Sequence, residues 1–540
     1  MLRKFLGPFR RLLSKRDVEI SLDLVEAADE LEGVKISASL KSNRAQLEEI
    51  YYRCDDIVMR EFEIGTQRLP ALLIYLEGFI DKSQTAGIMD ALMLQSRLAQ
   101  AGRKITPEEA FNLVVEQCLV SGEISPADNL QQVTAGIFNG KVALFIDGAD
   151  RAVIVDIKAY EHRDVAMPET EVVIRGPREG FIEELVTNLV LVRRRIKGPQ
   201  LKMENMVIGE QSATSVVLAY VKGIVDEKVV EELRRRLQRI EIDAVLDSGY
   251  LESYIEEDPY SLFPTVGITE KPDVAAAKLL EGRAVILSDG SPFALTMPHL
   301  LVETFQVAED YYGRAFYASL TRLLRIWAYF ITLYLPAIYV AAQAYHPEMI
   351  PTILMVRIAG AREGIPFPAW MEAFLMLAIF ELIKEAGLRM PRAVGQAVAI
   401  VGTLVLGDAA IRSGIVTPAM VIIVALSGIA GFIIPPASES IVLFRYPLLF
   451  AGSLLGLLGV ALLNFVIFAH AVSLRSCGVP YTSPLAPSLY SEWKDVFIRT
   501  PLPLLQRRPR ATVPQNLYRQ PPGQTPHPPE QDQGEQPDEY

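Results

Sequence analysis

The chain has 540 residues, 50% of them hydrophobic and 22% charged, with a formal net charge of −12. That length exceeds one ordinary domain, and that mixture is too polar for a wholly intramembrane protein, so a soluble part joined to a membrane part is expected. The acidic balance excludes a nucleic-acid binder, because phosphate contacts need a basic surface. Three widely spaced cysteines, Cys54, Cys118 and Cys477, give neither a disulfide framework nor a zinc knuckle, so a reducing compartment is expected.

Residues 1–36 read as a basic arm and linker. In LRKFLGPFRRLLSKR, residues 2–16, the apolar positions Leu2, Phe5, Leu6, Phe9, Leu12 and Leu13 recur at helical spacing among six Lys or Arg. That pattern suits an anionic membrane surface, whereas Pro8 favours a disordered basic arm, and both readings stand. No continuous apolar run with a small-residue cleavage site marks this end for export, so the first domain is expected in the cytoplasm.

The fold class expected is a mixed α/β, two-part soluble N-terminal domain followed by an α-helical polytopic membrane domain. Subdomain one covers residues 37–165. It has a helix around Leu47, strands Ile57–Ile64 and Ala71–Leu76, and helices near 84–101 and 107–119. Two β-rich runs follow within Gly136–Lys158, joined by Asp147-Gly148, a hairpin turn that needs positive φ. Subdomain two covers residues 166–300, after the polar stretch His162–Thr170. Here Pro177 and Gly180 precede a helix, followed by strand Ser215–Val221, a charged helix Asp226–Arg239 and strand Ile242–Leu246. A short helix near Leu251, the strand TVGIT, a helix near Val274 and the strand AVILSDG complete an α/β layer.

A connector, residues 301–325, leads to the transmembrane region, residues 326–474. Ile326–Ala344 carries no charge over 19 residues, close to the ~20 needed to cross ~30 Å of hydrocarbon. Ala393–Gly407, Ile415–Ile434 and Pro447–Leu474 are comparable. Ala369–Gly387 carries Glu372, Glu381, Lys384 and Glu385, and reads as re-entrant or interfacial. Arg322 and Arg325 before the first span, and Arg475, Lys494, Arg499, Arg507, Arg508 and Arg510 after the last, predict cytoplasmic flanks and an even number of crossings. Residues 475–500 form a juxtamembrane segment, and the Pro/Gln-rich residues 501–540 are expected to be disordered.

The five histidines (His162, His299, His346, His470, His527) are scattered, and no dinucleotide, P-loop or nucleophile-elbow motif is present, so neither an enzyme nor a cofactor or metal site is expected. Candidate functional residues are instead the ionisable groups of the membrane block. Asp408 and Arg412 form either an interfacial i,i+4 pair or part of an ion path. Glu381 is a further intramembrane carboxylate. Glu439 follows the helix-breaking Pro435-Pro436, and lies either beside a pore or in a loop outside the bilayer. Gly452, Gly456 and Gly459 provide a GxxxG face for close helix packing.

Several phrases resemble the A subunit of the spore germinant receptors, the GerA family: RGPREGFIEELVTN (Arg175–Asn188), DSGYLESYIEEDPYSLFPTVGITEKPD (Asp247–Asp273), LLEGRAVILSDGSPFALTMP (Leu279–Pro298) and EAGLRMPRAVGQAVAIVGTLVLGDAA (Glu385–Ala410). The likeness runs from about residue 40 to 500; a stage V sporulation membrane protein of similar architecture is the near alternative. The resemblance implies a multi-pass subunit of the spore inner membrane, with both the N-terminal domain and the C-terminal tail cytoplasmic. It further implies self-association into a ligand-gated ion channel that triggers germination, alongside a transporter-like B subunit and a lipoprotein C subunit. A stand-alone transporter fits less well, because the spans show no internal repeat.

Overall fold

The computed structural model describes residues 34–64, 68–80, 82–90, 92, 106–115, 124–157, 167–168, 170–390, 407–513, 516–521 and 524. The basic arm, all of the stretch Ala393–Gly407 except Gly407 itself, and most of the tail after residue 521 lie outside them. Of the helices expected near 84–101 and 107–119, only Lys82–Asp90 and Pro107–Leu113 are described as α-helix.

The first unit contains α1 (Leu40–Ile50), β1 (Ile57–Ile64), β2 (Leu69–Leu76), α2 (Lys82–Asp90), α3 (Pro107–Leu113), β3 (Ile124–Ala127), α4 (Leu130–Phe138), β4 (Val142–Ile146) and β5 (Ala152–Val155). Its sheet, of order β1-β2-β4-β5-β3, is antiparallel throughout. The strands β2, β4 and β5 are apolar on both faces because both are covered: Leu47 of α1 and Val133 of α4 pack on one side, Met89 of α2 and Phe111 of α3 on the other. The turn between β4 and β5 has Gly148 at φ +89°, as the Asp-Gly signal predicts.

The second unit contains α5 (Leu185–Arg193), β6 (Leu201–Ile208), β7 (Thr214–Val221), α6 (Glu227–Gln238), α7 (Ser248–Ile255), β8 (Gly267–Thr269), α8 (Pro272–Leu280), β9 (Ala284–Ser288) and β10 (Ala294–Met297). Its sheet, of order β6-β7-β9-β10-β8, is also antiparallel. Helix α6 starts at the Asp226 cap, whose carboxylate accepts from Lys228 N (3.1 Å), and buries Val229, Val230, Leu233 and Leu237. Ile242–Leu246 is not a strand. Its carbonyls accept from the β6–β7 turn instead, Ile242 O from Glu210 N (2.9 Å) and Asp243 O from Gln211 N (2.7 Å), which leaves no ladder to join.

The two sheets meet at a buried ion pair. Arg193, 1% exposed, donates from Nε to Asp56 Oδ2 (2.7 Å) and from Nη2 to Asp56 Oδ1 (2.8 Å), while its Nη1 reaches Leu201 O (2.8 Å). Backbone bonds from Met203 N to Arg53 O and from Asp55 N to Met203 O, each 3.0 Å, reinforce the joint.

The helical region comprises α9 (Ala315–Tyr345), α10 (Thr352–Arg362), α11 (Ala369–Arg389), α12 (Gly407–Arg412), α13 (Pro418–Gly431) and α14 (Ser438–Ser473). By length and composition α9 and Pro435–Ser473 are apolar enough to cross a membrane. The latter is not one straight rod. Gly456 has φ +61° and ψ −147°, close to a region reserved for glycine, and the chain reverses there. A methyl group at Gly459 would overlap the Ala451 carbonyl, eight residues earlier, which a continuous helix would hold about 12 Å away. Two antiparallel arms of about 27 Å each result, where the sequence suggests a single segment Pro447–Leu474. Tyr345 OH, at the end of α9, donates to Ser453 O (3.0 Å) and Leu454 O (2.8 Å), carbonyls of the last turn before the reversal.

The C-terminal segment does not behave as its composition predicts. After a two-strand clip, β11 (Arg475–Ser476) with β12 (Val479–Pro480), it returns across the second unit. Cys477 joins the core on one face of that sheet and Val513 the core on the other. Thr512 Oγ1 donates to Glu281 O (2.8 Å) and Arg508 Nε to Leu280 O (2.8 Å). Residues 501–513 and 516–521 of the segment expected to lack structure are thus a docked strap. Its polar side chains are satisfied by the second unit rather than by a core of their own.

Asp56→Ala leaves the buried Arg193 unpaired and is expected to destabilise the soluble units by about 3–5 kcal/mol, measurable by chemical denaturation of the full chain in detergent. Gly452 closely approaches α9, since a methyl there would lie 2.9 Å from Ala337 O. Gly452→Leu is therefore expected to cost about 1–3 kcal/mol in thermal stability. Leu454, 58% exposed, should accept Met within about 0.5 kcal/mol in the same assay.

Candidate functional site

The soluble units hold the helices at two places. The first is the base of α9, where Arg322 and Arg325 sit three apart on a helix and so share a face. Arg322, 0% exposed, donates from Nε to Asp310 Oδ2 (3.1 Å) and from Nη1 to Asp495 Oδ1 (3.1 Å). Arg325 donates to Phe305 O (3.0 Å) and pairs with the same Asp310. Tyr311 OH completes the group by donating to Asp495 Oδ2 (2.9 Å). Burial pushes the Asp495 carboxyl up, and Arg322 and Tyr311 pull it back towards the ionised form. The connector, the α9 base and the juxtamembrane segment that leads into the strap are therefore fastened at one point.

The second is the loop after α7, which touches both ends of the α14 hairpin. Ser440, in the first turn, donates to Leu262 O, and His470, in the last turn, lies 3.1 Å from Ser261 Oγ. Between them the Phe263 ring sits 5.0 Å from Phe444 and 5.9 Å from Tyr481.

Glu439 lies beside Ser440, exposed in the first turn of α14. Among the described residues no ion pair includes it. Its charge reaches Glu252 of α7, whose carboxyl is pushed up to about 7 by burial first, then by Glu256, Glu439 and Asp247. Asp408 and Arg412 pair with each other at 2.9 Å, with side chains 54% and 79% exposed. Glu381 pairs with Arg445 of α14 and, at 3.0 Å, with Lys384. Asp408 with Arg412, Glu381 with its two cations and Glu439 without an ion pair thus form no common cluster among the described residues.

Two polar groups within the bundle, Arg445 and Glu372, were not among the candidate functional residues. Arg445, fully buried, is the lone charge in the run IVLFRYPLLF, and that isolation is its signal. Buried Glu372 accepts from Thr417 N (3.0 Å) and Oγ1 (3.1 Å), and its Oε1 lies 3.4 Å from Arg362 Nη2. It stood out only as a charge in the α11 stretch, because its partners are 10 and 45 residues away. Among the described residues no group of three or more His, Cys, Asp or Glu is placed to hold a metal ion.

Because the Glu252 pKa is raised in the fold, its protonated form stabilises the folded state. That contribution is full below about 4.5 and is lost as pH rises towards 7. Melting temperatures of the detergent-solubilised chain should show it: Glu252→Gln should flatten the decline between pH 5 and 7.5 and exceed wild type at pH 7.5.

Comparison with known proteins bears on what these contacts serve. Residues 45–511 match the family described as Bacillus/Clostridium GerA spore germination protein. Spore germination protein KA of Bacillus subtilis (strain 168) is 42% identical over 92% of this chain and 90% of its own length. The uncharacterized membrane protein YfkQ of the same organism is 42% identical over 92% of this chain and 95% of its own. A crystal structure of the N-terminal domain of the A subunit of the Bacillus megaterium spore germinant receptor GerK3 covers 49% of this chain and 97% of that domain, with 35% identity and a TM-score of 0.39. With a family match over most of its length and close relatives along nearly all of it, the chain belongs to the GerA family of spore germination proteins.

Proposed function

We propose that the chain is the A subunit of a nutrient germinant receptor and assembles with further copies of itself as a ligand-gated ion channel in the spore inner membrane. The observation that carries this reading is the double attachment of the soluble units to the helices. One anchor holds the base of α9 and the other holds both ends of the α14 hairpin. A rigid-body movement of the soluble units would displace α9 and the hairpin together, which is what gating by an attached domain needs.

In this reading α9, both arms of α14 and the apolar α13 cross the bilayer, with the soluble units and the strap on the cytoplasmic side. A transporter-like B subunit and a lipoprotein C subunit are the expected partners, and membrane lipid surrounds the helices. Glu439, a carboxylate with no ion pair among the described residues where the hairpin meets the soluble units, stands at the cytoplasmic mouth of the ion path and draws in cations. The pair Glu381 with Arg445 holds α11 to α14, and the exposed pair Asp408 with Arg412 stays within α12, so neither lines the path.

Recording the purified chain in planar bilayers tests this. Glu439→Gln should lower the preference for cations over anions several-fold while leaving the protein assembled. Unchanged selectivity would remove Glu439 from the path, and absence of any conductance would count against a channel formed by this chain alone.

A further inference from the structure

A small pocket of about 80 Å³, partly open to solvent, lies between the α8–β9 turn, the connector and the C-terminal strap. One part of the wall is apolar, from residues such as Leu300, Val302, Val496 and Leu505, and the rest is charged.

The charged part is unbalanced. Every carboxylate in the wall is already engaged. Glu281 is paired with Arg283 (2.9 Å) and Arg519 (2.7 Å), and Glu303 with Arg283 (2.7 Å) and Lys278. Asp495 is held by Arg322 (3.1 Å), and Glu492 Oε1 accepts from Arg510 N (2.8 Å). Three cations, Lys494, Arg507 and Arg508, have no carboxylate partner among the described residues. Arg508 is only 5% exposed, yet its guanidinium meets neutral oxygens alone: Leu280 O and Asn516 Oδ1, both 2.8 Å, with the carbonyls of Asn516 and Tyr518.

The crowding has a measurable sign. Burial and then Arg519 bring the Arg508 guanidinium down to about 10, and burial and then Arg507 lower the Lys494 ammonium. The surplus of donors extends behind the wall. The guanidiniums of Arg322 and Arg499 lie 5.9 and 5.7 Å from the ring of the pocket residue Tyr311, and each keeps one buried N–H without an acceptor among the described residues. A buried guanidinium with only neutral partners is costly unless an anion completes it.

From this arrangement we infer that the pocket binds an organic phosphate, its oxyanion held by Lys494, Arg507 and Arg508 and its body resting on the apolar wall. Guanidinium and ammonium groups together suit a phosphate oxyanion, and the apolar residues give the ester a surface that inorganic phosphate would not use. Two sources share that chemistry, a free phosphate ester and a phospholipid headgroup. The second is within reach, because Asp495 in the wall bonds Arg322, about one helical turn before the uncharged run of α9 begins. In either case the ligand bridges the strap to the second unit next to the anchored base of α9, so occupancy tightens that anchor.

The test uses the full chain in phosphatidylcholine nanodiscs, with glycerol 3-phosphate as the soluble probe and sodium chloride at matched ionic strength as control. A second arm replaces part of the phosphatidylcholine with phosphatidylglycerol. Lys494→Gln with Arg507→Gln removes two of the three cations from partly or fully exposed positions, so the fold is retained, and the unliganded melting temperature checks this. A saturable rise in melting temperature with glycerol 3-phosphate, and about tenfold weaker binding in the double variant, identifies a free ester. Stabilisation by phosphatidylglycerol alone, again weakened in the double variant, identifies the headgroup. No shift with either probe, or equal shifts in wild type and double variant, overturns the site.

Discussion

A single fully buried guanidinium fixes how the soluble and helical parts of this protein meet. Arg322 is taken out of water at the root of a 31-residue helix, and only the two carboxylates of Asp310 and Asp495 make that tolerable. One carboxylate belongs to the connector and the other to the juxtamembrane segment that leads into the strap. The ion pair therefore requires that both segments be folded before α9 can leave the soluble units in a defined direction. Isolated surface salt bridges contribute little, whereas a buried network with shared partners is lost as a unit. The strap, the connector and α9 are coupled in this sense.

Much of the soluble architecture was legible from local pattern. Strand β1 coincides with the predicted Ile57–Ile64, β9 lies within the predicted strand AVILSDG, and α6 lies within the predicted charged helix Asp226–Arg239. Strand β6 was not legible, because LKMENMVI carries Lys202 and Glu204 where an apolar residue is expected. Both are buried nonetheless. Glu204 accepts from Arg234 (2.8 Å) and Tyr220 (2.6 Å), and Lys202 reaches Ile50 O (3.3 Å), partners that no window of sequence could supply. Short β10 was hidden for a simpler reason, since four residues are too few for a period to show.

The candidate site was only partly legible. Its ionisable residues could be found as charges within apolar runs, but their pairings depend on which helices become neighbours. Glu381 meets Arg445 across 64 positions and Glu372 meets Thr417 across 45. Composition misled at the C-terminus. Proline and glutamine argue against an independent core, and that holds, but a segment can dock by donating to the exposed carbonyls of a unit that already has one, as Arg508 and Thr512 do. The GxxxG spacing likewise marked close approach without revealing that the chain turns back on itself at Gly456.

That reversal has an electrostatic consequence. Each arm of the hairpin carries a macrodipole equivalent to about half a unit charge at either end, and because the arms are antiparallel the two nearly cancel across the width of the bundle. What remains is local. On the side facing the soluble units, the positive end of the first arm lies beside the negative end of the second, and each has a matching side chain: Glu439 in the first turn and His470 in the last. The loop carrying Ser261, Leu262 and Phe263 therefore rests on a small dipole of fixed orientation rather than on a neutral apolar surface. Protonating His470 or neutralising Glu439 would change the field felt by the loop without moving any atom of the helices.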